Sequence, residues 1–153
     1  HQSVTPANIL VGNTMAATKL ADLMLAAAVE GDPTTPISAA GVPSEELSYM
    51  PPERTAGPGK PVDARADIYS LGATLYAMFT GRPPLQADSV RELVDKIRLT
   101  APPPLASQQL GLPETLIHIN EKMLAKRRED RYQSARELVR HMETFAKSHN
   151  LQV

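Results

Sequence analysis

The chain has 153 residues, a formal net charge of −1, 42% apolar and 22% charged residues, and no cysteine. That composition suits one globular domain, excludes disulfides, thiolate metal sites and a cysteine nucleophile, and leaves no electrostatic footprint for nucleic acid or an anionic membrane. No apolar run reaches the roughly 18 residues that a bilayer requires, and no signal-peptide pattern opens the chain. The lack of cysteine fits a reducing compartment, so a cytoplasmic location is the expectation. Aromatic residues are only 4%, with no tryptophan, so the core must be built from Leu, Ile, Val, Met and Ala. A chain opening at His1 without an initiator Met reads as a piece of something longer.

Ile9-Leu10-Val11 is a short apolar run closed by Gly12-Asn13, which favours a turn, and Lys19-Leu20-Ala21 is positioned to pair with it. Residues 26–48 show no sustained period, are rich in Pro, Gly, Ser and Thr, and read as one long loop. Helices follow. Asp63 can cap the first, which is predicted to run to about Phe79 with Ile68, Leu71, Leu75 and Met78 on one face. Gly81 ends it and Pro83-Pro84 forbids continuation. Ser89-Val-Arg-Glu92 is a capping-box pattern opening a helix to about Leu99. Pro113 suits the first turn of the next, which carries Leu116, Ile119, Met123 and Leu124. Ser134-Ala-Arg-Glu137 is a second capping box, before Leu138, Val139, Met142 and Phe145 at helical spacing. The domain is predicted over residues 1–147, with a polar tail at 148–153. The order predicts a mainly α fold: a short β-hairpin, a long loop, then four to five helices. Two strands cannot form a stable sheet alone, so they must lie against the helices or join a larger structure.

Five strings, in order, carry a resemblance. His1-Gln2-Ser3-Val4-Thr5-Pro6-Ala7-Asn8 resembles the catalytic loop of serine/threonine protein kinases, H-R-D-L-K-P-x-N. Lys19-Leu20-Ala21-Asp22-Leu23-Met24 is similar to the strand entering D-F-G, and Tyr49-Met50-Pro51-Pro52-Glu53 to the Y-M-A-P-E that closes the activation segment. Asp67-Ile68-Tyr69-Ser70-Leu71-Gly72 resembles the D-x-x-S-L-G of the family's central helix. Asp130-Arg131-Tyr132 stands where the family places a buried arginine, and Arg131-Tyr132-Gln133-Ser134 has the flavour of the bacterial branch. The resemblance implies the C-terminal lobe of an α+β kinase fold. The N-terminal lobe, with its glycine-rich loop and ATP-anchoring lysine, is then expected upstream of His1.

The same resemblance marks departures. Ser3 stands in place of the catalytic aspartate that orients the substrate hydroxyl and accepts its proton, and a serine hydroxyl carries no charge and is no base near neutral pH without a partner. Its plain alternative role is to cap the loop through backbone hydrogen bonds. Thr5 replaces the lysine that touches the transferred phosphate. Gln2 replaces the arginine that would bind a phosphorylated activation loop. Glu45-Glu46 takes the place of a Gly-Thr that helps form the peptide site.

Asn8 and Asp22 are retained, and in the family they ligate the Mg2+ that accompanies ATP. The alternatives are that Asn8 satisfies loop backbone groups and Asp22 is a solvated or capping carboxylate. Met24 in the glycine position removes backbone freedom there. The family further implies a buried Glu53–Arg131 ion pair, Asp67 accepting from the backbone near His1, and a packing role for His1. His118, His141 and His149 receive no role, and Lys126-Arg127-Arg128 reads as a solvated face.

The resemblance and its departures imply a pseudokinase that binds a protein partner, with retained nucleotide binding as a further expectation. The competing readings are a slow serine/threonine kinase acting on protein substrates and a helical interaction domain that keeps only the scaffold.

Overall fold

One helix organises the molecule: Arg65–Thr80, the longest element. The computed structural model describes residues 1, 4–14, 17–21, 44–55, 62–108 and 110–151, the side chains of 44 and 45 excepted. Within these, strands β1 (Ile9–Leu10) and β2 (Lys19–Leu20) pair antiparallel with Ile9 opposite Leu20. Five helices follow: α1 (Ser44–Leu47), α2 (Arg65–Thr80), α3 (Val90–Leu99), α4 (Glu114–Met123) and α5 (Ala135–Ser148). Short 3-10 turns lie at Pro6–Asn8, Pro52–Thr55, Leu105–Gln108 and Arg128–Asp130. The fold is mainly α, a helical lobe with one small hairpin.

The centre of α2 is buried nearly all round, as a helix surrounded by others must be. Ile68 packs with Ile119, Met123, Tyr132, Leu138 and Phe145 from α4, α5 and the turn between them. Tyr69, Ala73 and Tyr76 pack on another side against Leu105 and Leu124. The single apolar face read from the sequence was therefore incomplete. Ile68, Leu71 and Leu75 do face the first cluster, but Met78 is 67% exposed. The second stripe, at i, i+4 and i+7, is drawn by two tyrosines and an alanine rather than by large aliphatics. Val139 likewise turns outward at 52% exposure, because α5 is covered on one face only.

The caps are mixed. Gly81 takes a left-handed φ of 75°, and its N–H closes α2 onto the Ala77 carbonyl at 2.8 Å. At the other end Ala64 occupies the cap position rather than Asp63. Asp63 instead accepts from the Arg65 amide at 2.9 Å and from its guanidinium, which holds the carboxyl down at a pKa of about 2. Ser89 and Ser134 each accept from the amide three residues on, at 3.2 Å. Glu137 returns to the Gln133 amide at 2.8 Å, one residue before the cap, while Glu92 pairs with Lys96 at 2.8 Å.

The long loop predicted over residues 26–48 is corrected at its end. Ser44–Leu47 is a turn of helix, and Leu47 and Met50 are buried against Leu85, Leu93 and Ile97. A single buried leucine in a polar string gives no periodic signal, so tertiary packing decides this turn. The rest of that loop, residues 26–43, lies outside the described residues.

Helices α2 and α4 come into close contact at Gly72. A Cβ there would lie 2.7 Å from the Met123 Cβ, and Asn120 donates its amide to the Gly72 carbonyl at 2.9 Å. Gly72→Ala gains about 1 kcal/mol of helix propensity. The opposing atom is rigidly attached to a helix backbone, so the helices must separate, and overpacking costs about 1–3 kcal/mol. The expected outcome is net destabilisation, read as a lower urea midpoint at unchanged slope.

Candidate functional site

The N-terminal segment is held onto α2. The backbone nitrogen of His1 donates to Asp67 Oδ2 at 2.9 Å, and Thr74 Oγ1 donates to the Val4 carbonyl at 3.3 Å. Asp67 and Thr74 are seven residues apart, two turns of one helix face, so they make adjacent anchors for an extended strand. Proline at 6 then starts a 3-10 turn that closes with the Asn8 amide on the Thr5 carbonyl at 3.0 Å. Ala21 N–H donates to the Asn8 carbonyl at 2.7 Å, which extends the hairpin ladder back to Asn8. Val4, Thr5 and Asn8 are buried; both ring nitrogens of His1 and the hydroxyl of Thr5 are buried without a hydrogen-bond partner.

Arg131 is a second focus. Its side chain is fully buried and that of Glu53 is 10% exposed. The guanidinium donates to both Glu53 oxygens, at 2.8 and 2.9 Å, and to the carbonyls of Ala125, Lys126 and Arg65 at 2.7, 3.0 and 3.1 Å. All five donors are used, which is the condition under which a buried charge is tolerated. It also lies 4.9 Å from the centre of the Tyr69 ring. The Pro52–Thr55 turn, the start of α2 and the α4–α5 connection are thereby tied at one point.

Lys126 overturns the expectation of a solvated basic run. Its Nζ donates to the Ile97 carbonyl at 2.8 Å and to the Tyr69 hydroxyl at 3.4 Å. Arg127 is exposed, but Arg128 reaches Asp63 and Glu129. Burial, joined by the charge of Arg131, pulls the Lys126 ammonium down to about 8. The unfolded chain keeps that proton to the ordinary 10.5, so between these values it binds more protons and stability rises with pH. Burial holds Tyr69 above its ordinary 10, which works the other way above pH 10. Stability is therefore expected to climb from pH 8 to 10, and Lys126→Met to flatten that slope in urea titrations.

A cavity of about 730 Å³ is bordered by Thr5, Pro6 and Ala7, by Glu46, Ser48 and Tyr49, and by Asp88, Ser89, Val90 and Leu93 from the approach to and first turn of α3. Of the residues singled out in the sequence, the structure thus brings His1 to Asp67 and Glu53 to Arg131, and places Thr5 and Glu46 on one cavity. Gln2, Ser3, Asp22, Leu23 and Met24 lie outside the described residues, as does the side chain of Glu45. Sequence reading missed Thr74 and Asp88. The seven-residue spacing from Asp67 could have found the first; nothing local marks the second.

Comparison with known proteins gives this arrangement its class. The chain belongs to the protein kinase family, whose protein kinase domain it matches over residues 1–142. It is 38% identical over 139 residues to the serine/threonine-protein kinase PknB of Mycobacterium tuberculosis, covering 90% of this chain and 21% of that protein. It is 32% identical over 152 residues to a probable serine/threonine-protein kinase of Corynebacterium efficiens, covering 97% and 22%. A hybrid signal transduction histidine kinase of Dictyostelium discoideum is 38% identical over 97 residues, 63% of this chain and 3% of that protein. The chain spans about a fifth of the length of the bacterial relatives it matches.

ATP and Mg2+ are the groups that the family implies. An amide and a carboxylate, Asn8 and Asp22, are hard oxygen donors of the kind Mg2+ takes. The Ala21–Asn8 hydrogen bond ties the chain immediately before Asp22 to Asn8. Asn8 is buried, and Asp22 lies outside the described residues. Among the described residues there is no cluster of three or more His, Asp or Glu that could hold a metal by itself. No described helix is long and apolar enough to cross a membrane.

Proposed function

We propose that this domain is a pseudokinase: a protein-kinase-like scaffold that works in the cytoplasm, contacts a protein partner in signalling, and retains nucleotide–Mg2+ binding through Asn8 and Asp22 without efficient transfer. One observation carries the reading. Two anchors that the family implies, Asp67 on His1 and Arg131 on Glu53, are formed, while the position of the family's catalytic base carries a serine. A five-donor buried arginine beside a base position without a carboxylate supports a structural role over phosphate transfer. Thr5, in the place of the lysine, points the same way, since its buried hydroxyl supplies no charge to a phosphate.

Retention of Asn8 and Asp22 favours a second reading, a weakly active serine/threonine kinase. The two are separated with the full-length protein, labelled ATP and Mg2+. The scaffold reading expects no phosphate transfer above a no-enzyme control, together with Mg2+-dependent binding of a fluorescent ATP analogue that Asp22→Asn abolishes. Transfer above the control would sink it.

A further inference from the structure

Lys126 stands in the connection between α4 and α5, and its surroundings differ from those of the other described lysines. Lys96 pairs with Glu92 at 2.8 Å and Lys122 with Glu137 at 3.2 Å, while Lys19 and Lys147 are exposed. Lys126 is half-buried, its partners are a carbonyl and a hydroxyl, and no described carboxylate pairs with it. The charge that does face it is a cation. Lys126 Nζ and the Arg131 guanidinium lie 5.7 and 4.9 Å from the centre of the same Tyr69 ring. Glu53 has both oxygens on Arg131, and Arg98, the cation next to Ile97 on α3, donates to Thr55. An amine that is desolvated beside another cation is held toward its neutral, nucleophilic form. The lowering of Lys126 to about 8 agrees with that geometry.

The nitrogen is also incompletely used. It donates to the Ile97 carbonyl at 2.8 Å and to the Tyr69 hydroxyl at 3.4 Å. With Cε these fill three of its four positions. The fourth has no partner among the described residues and is the place for a lone pair or a new bond. The Ile97 carbonyl belongs to the last turn of α3, where carbonyls lack helical donors and a cation is favourable. Lys126 thus fastens the end of α3 to the α4–α5 connection, and any change that removes its charge loosens that fastening.

We propose that Lys126 is a modification site for a small activated acyl donor, an acyl phosphate, and that acylation releases the end of α3. The neutral amine attacks the carbonyl carbon and the N–C bond forms. The bond from that carbon to the phosphate oxygen breaks, phosphate leaves with the electron pair, and the nitrogen gives one proton to solvent. The product is a neutral amide with a single N–H, too few donors for both present partners, and the charge at the α3 terminus is lost.

The test incubates the full-length protein with acetyl phosphate from pH 7 to 10 and follows each lysine by mass spectrometry of its peptides. At pH 7.5 Lys126 is expected to acetylate about tenfold faster than exposed Lys147, its larger neutral fraction being partly offset by lower basicity and crowding. Its rate levels off above about pH 8, while that of Lys147 keeps rising. Amide hydrogen exchange over residues 96–100 then runs about two- to fivefold faster in the acetylated protein, the size of a lost terminal cation, with α5 unchanged. Lys126→Gln, which carries a neutral amide, reproduces that local change, whereas Lys126→Arg does not. A Lys126 rate no greater than that of Lys147, or one that climbs with it to pH 10, overturns the proposal. So does acetylation that leaves exchange in α3 unaltered. The rate comparison is made on the native protein, so a variant that fails to fold does not obscure it.

Discussion

Arg131→Met is expected to lower the unfolding free energy by about 3–5 kcal/mol, the largest loss from any single substitution considered. The size follows from the partners. Methionine matches the volume of the stem but leaves the Glu53 carboxylate without its two donors and three carbonyls without theirs. Glu53→Gln should cost less than Arg131→Met, because an amide oxygen still accepts from the guanidinium and Glu53 retains some exposure. Replacing both residues by apolar ones should cost less than Arg131→Met alone, since neither charge is then stranded. Urea unfolding of the four proteins checks the order. Adding the Glu53 change to the same apolar residue closes a double-mutant cycle, and near-additivity in it would show the pair to be uncoupled and the argument wrong.

The second large effect concerns chemistry. If the missing base and cation are what silence the domain, the Ser3→Asp/Thr5→Lys double variant should transfer phosphate about 10²–10⁴-fold faster than the native protein, the usual contribution of a positioned base. Thr5 borders an open cavity, so a lysine there has room to extend. Labelled ATP and a generic basic protein substrate suffice as the assay. A double variant that binds Mg-ATP and still transfers nothing would move the defect to Gln2, to Glu45-Glu46, or to Leu23-Met24.

Much of the lobe was legible because local chemistry and tertiary demand agree there. Ser89 and Ser134 cap the helices they were expected to cap, Gly81 is left-handed where α2 must stop, and Ile119 and Met123 are buried at helical spacing. What escaped was decided at long range. The Tyr69, Ala73 and Tyr76 stripe became a core face only because Leu105 and Leu124 arrive from elsewhere. Lys126 left the solvent because Ile97 offers a carbonyl 29 residues away. Of the candidate site, a five-donor arginine is invisible in a string reading Asp130-Arg131-Tyr132 without the family's pattern. The cavity pairs Thr5 with Asp88, which no motif joins.

The lock at Arg131 also has an order in time. Glu53 and Arg131 are 78 residues apart, and ribosomes add about 5–20 residues per second. For several seconds of every synthesis Glu53 exists while the arginine that holds both its oxygens does not. An apolar α2 and a bare carboxylate are exposed together during that interval. Nascent chains stalled before residue 131 should therefore be chaperone clients, and chains stalled well past it should not.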